Sequence, residues 1–282
     1  MRTLKRFGQH FLELAWAEKL IDAIAPEPDE AFLEIGPGHG ALTRPLTACA
    51  RLVVAVEIDR VLAAKLRRMG LRNLEVVEGD FLRVSPERLQ EELASVGASG
   101  RVRAVGNLPY NAASPILFRL IALQAHGVKT VDATVMLQRE VASRLTAAPG
   151  SRDYGVLTVL VSYSASAEVL LSLPPGAFRP APKVHSSLVR LRFHSPEPPA
   201  KNPAVLRALV QAAFNQRRKT LANALKPFAA AMRVSTEEAL TKSGLDGRRR
   251  PETLALAEWV RLADTFADLD AARLVGVTGA VL

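Results

Sequence analysis

The apolar run Ala31-Phe-Leu-Glu-Ile35 breaks into Gly36-Pro-Gly38-His-Gly40, and helical spacing resumes at Ala41-Leu-Thr43. Glycines are needed where a strand turns sharply into a helix and where main chain must approach a ligand without a Cβ in the way. Strand, glycine loop and helix in that order open a parallel α/β sheet, and the chain continues in kind. Further strands are predicted at 52–57, 74–77, 102–106 and 132–137, with a later pair over 167–171 and 187–193. Helical periodicity fills 14–25, 41–47, 61–69 and 115–124.

The pattern changes at His194 to Pro203, where four prolines fall in ten residues. That stretch reads as a linker. The expected organisation is an α/β catalytic domain over 1–193, the linker over 194–203 and a small all-helical domain over 204–282. In the last, Leu206, Leu209, Val210, Ala213 and Phe214 share one helical face. Ser235 with Glu238 has capping-box spacing, and Pro251 suits the first turn of a last helix that carries Leu256, Trp259, Val260, Ala263 and Phe266. At that spacing Trp259 reads as core rather than as a platform for a base.

A 49% hydrophobic content over 282 residues supplies a sizeable core and excludes disorder as the main state. The single cysteine, Cys49, excludes a disulfide framework and any thiolate zinc site, and the five histidines show no ligand spacing, so no metal is expected. No run of 18 apolar residues occurs and the basic N-terminus lacks an apolar segment, so the expectation is a cytoplasmic protein with no membrane partner. There is neither a Gly-x-x-x-x-Gly-Lys loop nor a Gly-x-Ser-x-Gly elbow. Thirty-seven Lys plus Arg against 28 Asp plus Glu give +9, a bias toward a polyanionic partner.

Glu57 closes the second strand, 21 residues after Gly36, where a carboxylate holds the hydroxyls of a cofactor ribose. Gly36-x-Gly38-x-x-Ala41 also satisfies the dinucleotide fingerprint, so these two features leave a nicotinamide and a sulfonium nucleoside both open. Asp80-Phe81 follows the third strand. The acid there either accepts from an adenine amino group, with the phenyl ring as apolar cover, or caps a helix. Gly36, Glu57 and Asp80 at successive strand ends converge on one crevice at the carboxyl edge of the sheet. The arrangement resembles the S-adenosylmethionine-dependent methyltransferases and their Rossmann-like sheet.

After the fourth strand comes Asn107-Leu108-Pro109-Tyr110, which resembles the Asn/Asp-Pro-Pro-Tyr motif of methyltransferases that modify an amino nitrogen conjugated to a ring. The lone pair of an exocyclic adenine amine is delocalised into the purine. Two acceptors, the Asn107 carboxamide oxygen and the Leu108 carbonyl, can draw its N–H groups out of the ring plane and recover lone-pair density. Pro109 biases Leu108 toward an extended conformation, and Tyr110 offers a face on which a flipped base stacks. Loss of a proton from the cationic amine product requires no dedicated base, so positioning carries most of the rate.

Phe7-Gly-Gln-His10-Phe-Leu12 resembles the Gly-Gln-Asn-Phe-Leu signature of the ribosomal RNA adenine dimethyltransferases. Glu34 to Thr43, Val56 to Asp59, Asn107 to Asn111, Gln138 to Leu145, Tyr154 to Val159, Phe178 to Val184 and Ala213 to Leu221 extend the resemblance in order. It implies that His10 and Leu12 close over S-adenosylmethionine, Gly36 lies against its methionine part, Glu57 binds its ribose, and Asp80 with Phe81 hold its adenine. Asn107 is then shared between cofactor and target amine, with Tyr110 below the target base and Phe178 as the opposing wall. His10 departs from the family's asparagine, and a neutral imidazole nitrogen can donate or accept but not both. The substrate implied is a pair of adjacent adenosines in a hairpin loop near the 3′ end of 16S ribosomal RNA in the 30S subunit, methylated by a monomer. Arg217, Arg218, Lys219, Arg248, Arg249 and Arg250 are the expected phosphate contacts of the helical domain, with a solvated basic face as the alternative.

Overall fold

The computed structural model describes residues 10–98 and 102–279. Phe7, Gly8 and Gln9 of the arm motif lie outside the described residues. Two compact units form, Met1–Ser143 with Ala165–Phe193, and Arg144–Ser164 with His194–Leu282. The chain passes from one to the other three times, so the linear division expected at 194–203 is amended: 144–164 belongs with the C-terminal helices.

The first unit begins with a short strand β1 (Phe11–Leu12) and helix α1 (Leu14–Ile24), followed by alternation: β2 (Ala31–Ile35), α2 (Thr43–Cys49), β3 (Leu52–Glu57), α3 (Arg60–Arg67), β4 (Leu74–Glu78), α4 (Pro86–Ser95), β5 (Val102–Asn107), α5 (Ala113–Ala125), β6 (Thr130–Gln138) and α6 (Arg139–Leu145), which runs into the second unit. Every residue of β2 and β3 is buried, the signature of parallel strands covered on both faces. Helix α4 was not evident from periodicity. Ser85 caps it by accepting from Arg88 N–H at 3.1 Å, and Leu89 and Leu93 are its only buried side chains.

After α7 (Val156–Ser162) in the second unit, the chain returns to the sheet as β7 (Ala165–Leu173), β8 (Phe178–Arg179) and β9 (Ser186–Phe193). The seven-stranded order is β4-β3-β2-β5-β6-β9-β7, and β9 pairs antiparallel with both its neighbours. The succession reverses between β2 and β5, which places the ligand crevice at their carboxyl ends. At the amino ends, buried Arg103 donates to the Ile24 and Ala25 carbonyls that terminate α1 and pairs with Asp132 at 3.0 Å and Glu30 at 2.8 Å. Arg190 adds bonds to the Ala23 and Ile24 oxygens. These cations satisfy orphan carbonyls and the negative end of the helix dipole at once.

The second unit joins α7 to α8 (Pro203–Asn215), α9 (Leu221–Met232), α10 (Thr236–Ser243) and α11 (Leu256–Gly279). Leu206, Leu209, Val210 and Ala213 are buried on the predicted face of α8, as are Trp259, Val260, Ala263 and Phe266 on α11. Phe214 meets Trp259 with ring centroids 5.7 Å apart, and Tyr154 Oη donates to the Leu254 oxygen at 2.7 Å. Trp259 is therefore core. Pro251 does not start the last helix: Pro251–Thr253 is a separate 3-10 turn, and α11 begins at Leu256. Among the described residues, no helix is long and apolar enough to cross a membrane.

Candidate active site

The carboxyl ends of β2 to β5 open onto a cavity of about 220 Å3 in the first unit. Gly36, Gly38 and Gly40 take φ of +67°, +59° and +80° in the β2–α2 loop, a region costly for side-chain-bearing residues. A Cβ on Gly38 would stand 3.1 Å from the Phe11 ring. The Gly38 N–H donates to Glu57 Oε2 and the Asp59 N–H to Glu57 Oε1, each at 2.9 Å. Burial pushes the Glu57 carboxyl up, and those two N–H groups act in the opposite sense.

This cradle fits a nucleoside. A carboxylate has about four lone-pair sites; the Gly38 and Asp59 N–H groups, with the Ile58 N–H beside them, leave acceptor capacity for a ribose hydroxyl. Asp80 and Phe81 line the same cavity at the end of β4. Asp80 Oδ1 accepts from the Leu82 N–H at 3.0 Å, so this acid also holds its own turn, and Phe81 is buried.

Asn107 is the last residue of β5, and its Nδ2 donates to the His10 main-chain oxygen at 2.7 Å. Leu108 is buried and anchored by its N–H to the Met136 oxygen at 3.3 Å. Tyr110 Oη and Ser186 Oγ lie 2.7 Å apart, and burial raises the Tyr110 pKa against that bond. His10 Nδ1 donates to the Pro180 oxygen at 2.7 Å, and its ring lies 5.3 Å from that of Tyr110. Asn107, Leu108, Pro109 and Tyr110 thus line one cavity with His10, Leu12, Gly36 and Glu57.

Phe178 is a correction. It pairs with Leu12 in the β1–β8 ladder, is 0% exposed and packs in the core with Leu20 and Leu188, so this structure does not present it as a wall opposite Tyr110. Three contributors were missed. Glu34 is 1% exposed and lines the cavity; burial raises its carboxyl to about 7, against a hydrogen bond from Thr43. An acid inside a fully apolar strand was the available signal. Ser186 and Pro180 carry no local signal, because the pairing of β9 with β6 and of β8 with β1 brings them there.

In the second unit, the Leu221 N–H donates to the Arg249 oxygen at 2.7 Å, which sets the 217–219 and 248–250 clusters side by side. They are not uniform. Arg249 grips Glu258 through two bonds of 2.6 and 3.0 Å, Arg217 donates to the Ser151 oxygen at 3.2 Å, and Arg248 pairs with Asp246 at 3.0 Å. Arg218, Lys219 and Arg250 are exposed, and among the described residues their side chains have no hydrogen-bond or ion-pair partner. Among the described residues, no group of three or more His, Cys, Asp or Glu could hold a metal ion.

The family described as "Ribosomal RNA adenine dimethylase" matches residues 2–268. A protein named "Ribosomal RNA small subunit methyltransferase A" from Methylibium petroleiphilum is 43% identical, over 92% of this chain and 94% of its own length. One of the same name from Pseudomonas aeruginosa is 41% identical, over 95% and 96%. Among solved structures, a dimethyladenosine transferase from Plasmodium falciparum superposes with a TM-score of 0.71 at 24% identity, covering 90% of this chain and 96% of that one. The 23S rRNA methyltransferase ErmE gives 0.62 at 28% identity, over 91% and 99%.

Proposed function

Because this chain belongs to the ribosomal RNA adenine dimethylase family, whose members use S-adenosylmethionine, we propose that it dimethylates two adjacent adenosines in the hairpin loop near the 3′ end of 16S ribosomal RNA. It acts as a monomer in the cytoplasm, on the 30S subunit during small-subunit biogenesis. The nicotinamide reading left open by the glycine spacing falls with the family.

The observation that carries the mechanism is the placement of Asn107 and Tyr110 in the cavity that holds Glu57 and the glycine loop. The cofactor supplies an electrophilic methyl on a sulfonium. The chain does the rest by orientation. Glu57 and Gly36 fix the nucleoside and its methionine part, and Asp80 with Phe81 hold the adenine end. Asn107 Oδ1 and the Leu108 oxygen accept the two N–H groups of the target amine, which turns its lone pair out of conjugation, and Tyr110 stacks beneath the base. Removing one such acceptor from a preorganised site costs on the order of 10²-fold in rate. Loop adenosines are cheap to extrude, which suits a pocket that must take two in turn. Exposed Arg218, Lys219 and Arg250 supply phosphate contacts, with Arg248 beside them, while Arg217 and Arg249 hold the surface on which those contacts stand.

The test is mass mapping of methylated adenosines in unmethylated 30S particles incubated with the protein and labelled cofactor. Two neighbouring dimethylated adenosines near the 3′ end of 16S RNA are expected. Methylation of a single adenine in naked 23S RNA, with 30S particles left untouched, would instead assign the chain to large-subunit chemistry.

A further inference from the structure

A carboxamide has a donor end and an acceptor end, and only the acceptor can take the N–H of an exocyclic amine. Here the donor end is already committed, since Asn107 Nδ2 donates to the main-chain oxygen of His10 at 2.7 Å. Oδ1 is left to meet the target. That main-chain oxygen is itself held from two sides: His10 Nδ1 donates to the Pro180 oxygen at 2.7 Å, and the next two residues pair antiparallel with Arg179 and Phe178. The imidazole also lies 5.3 Å from the Tyr110 ring at an interplanar angle of 31°. One residue touches two of the three groups of the tetrapeptide that face the target base, Asn107 and Tyr110.

We propose that His10 is a positioning residue for methyl transfer, fixing the Asn107 amide through its main-chain oxygen while its ring is tied to Pro180. The inference rests on the reading of Asn107 as acceptor for the target amine. It differs from a direct cofactor contact at this position. A rotated amide would set its N–H groups against those of the adenine, donor against donor, and the lone pair would stay in the ring. Misplacement of a reacting group on this scale costs on the order of 10²-fold in rate.

The experiment uses the full chain with His10→Ala, His10→Phe and His10→Asn. Cofactor Kd is read by calorimetry without RNA, and single-turnover methylation of 30S particles at saturating cofactor. His10→Ala slows methylation on the order of 10²-fold with Kd unchanged. His10→Phe keeps a ring beside Tyr110 but cannot donate to Pro180, and loses as much; His10→Asn can donate and recovers most of the rate. In an Asn107→Ala background, His10→Ala adds no further loss. The proposal is overturned by an unchanged rate in His10→Ala, by a weakened Kd with the saturated rate preserved, or by an equal loss in the Asn107→Ala background. Should Asn107→Ala methylate like the wild type, the reading of Asn107 fails first. If that background is too slow to follow, the Kd and rate split across the three His10 variants decides.

Discussion

Thr43 donates its hydroxyl to Glu34 Oε2 at 2.7 Å, inside a strand that is otherwise apolar and fully buried. Burial nevertheless wins and raises the Glu34 carboxyl to about 7. An acid whose pKa is higher in the folded chain than in the unfolded one adds stability below its unfolded value, and that stability is lost as pH rises through the folded value. From 4.5 to about 7 the difference corresponds to roughly 3 kcal/mol. Glu34→Gln should therefore flatten the fall in Tm between pH 5 and pH 8, measured by calorimetric scans; an unchanged pH slope would contradict it.

A cationic ligand in the cavity favours the ionised form of Glu34, whose carboxyl burial raises to about 7. Cofactor binding near pH 7 should release protons, and affinity should strengthen as pH rises from 6 to 8. Titration calorimetry in buffers of different ionisation enthalpy reads the proton count directly. Glu34→Gln should reduce that count while still binding.

Gly38 combines a φ of +59° with a phenyl ring 3.1 Å from where its Cβ would be. Gly38→Ala should cost about 1 to 2 kcal/mol of backbone strain and displace Phe11. The expected result is a weaker cofactor Kd with little change in single-turnover rate once the cofactor saturates. A wild-type Kd would show that the cradle tolerates a methyl group.

The two basic clusters should divide by partner. Removing Arg218, Lys219 and Arg250 together should weaken RNA binding and lower the slope of log K against log salt by about 2 to 3, with Tm unchanged. Arg249→Ala breaks the two bonds to Glu258 and should lower Tm with a smaller effect on that slope. Filter binding across a salt series, paired with melting curves, separates them.

Arg103 is the buried centre of a network far along the strands from the cavity. Arg103→Ala should destabilise by about 3 kcal/mol, because the Ala25 oxygen and Glu30 lose their buried cation while Asp132 and the Ile24 oxygen keep only Arg190. Urea unfolding measures this. The cofactor Kd of the surviving folded protein should match the wild type.

Most of the parallel sheet was legible in sequence because β2, β3 and β5 are apolar strands ended by Gly36, Glu57 and Asn107, residues whose chemistry marks the carboxyl edge. Elements that depend on distant partners were not. Helix α4 carries only Leu89 and Leu93 as buried anchors, so its period is faint, and the β-branched run of α7 reads equally as a strand. Phe178 has the motif's residue type, yet its pairing with Leu12 buries it. In the basic clusters sequence shows charge alone; which arginines are drawn in from solvent is decided by Glu258 and Ser151, while Arg248 stays exposed beside Asp246.

The second unit is stitched from two stretches of chain, with β7, β8 and β9 of the first unit running between them. A cut after residue 193 would leave α7, with buried Val159, Leu160 and Val161, stripped of α8. The helical unit is therefore not a cassette that a single recombination event could add, delete or trade. Crossover points on each side of 144–164 and before 194 would have to fall together to exchange it whole.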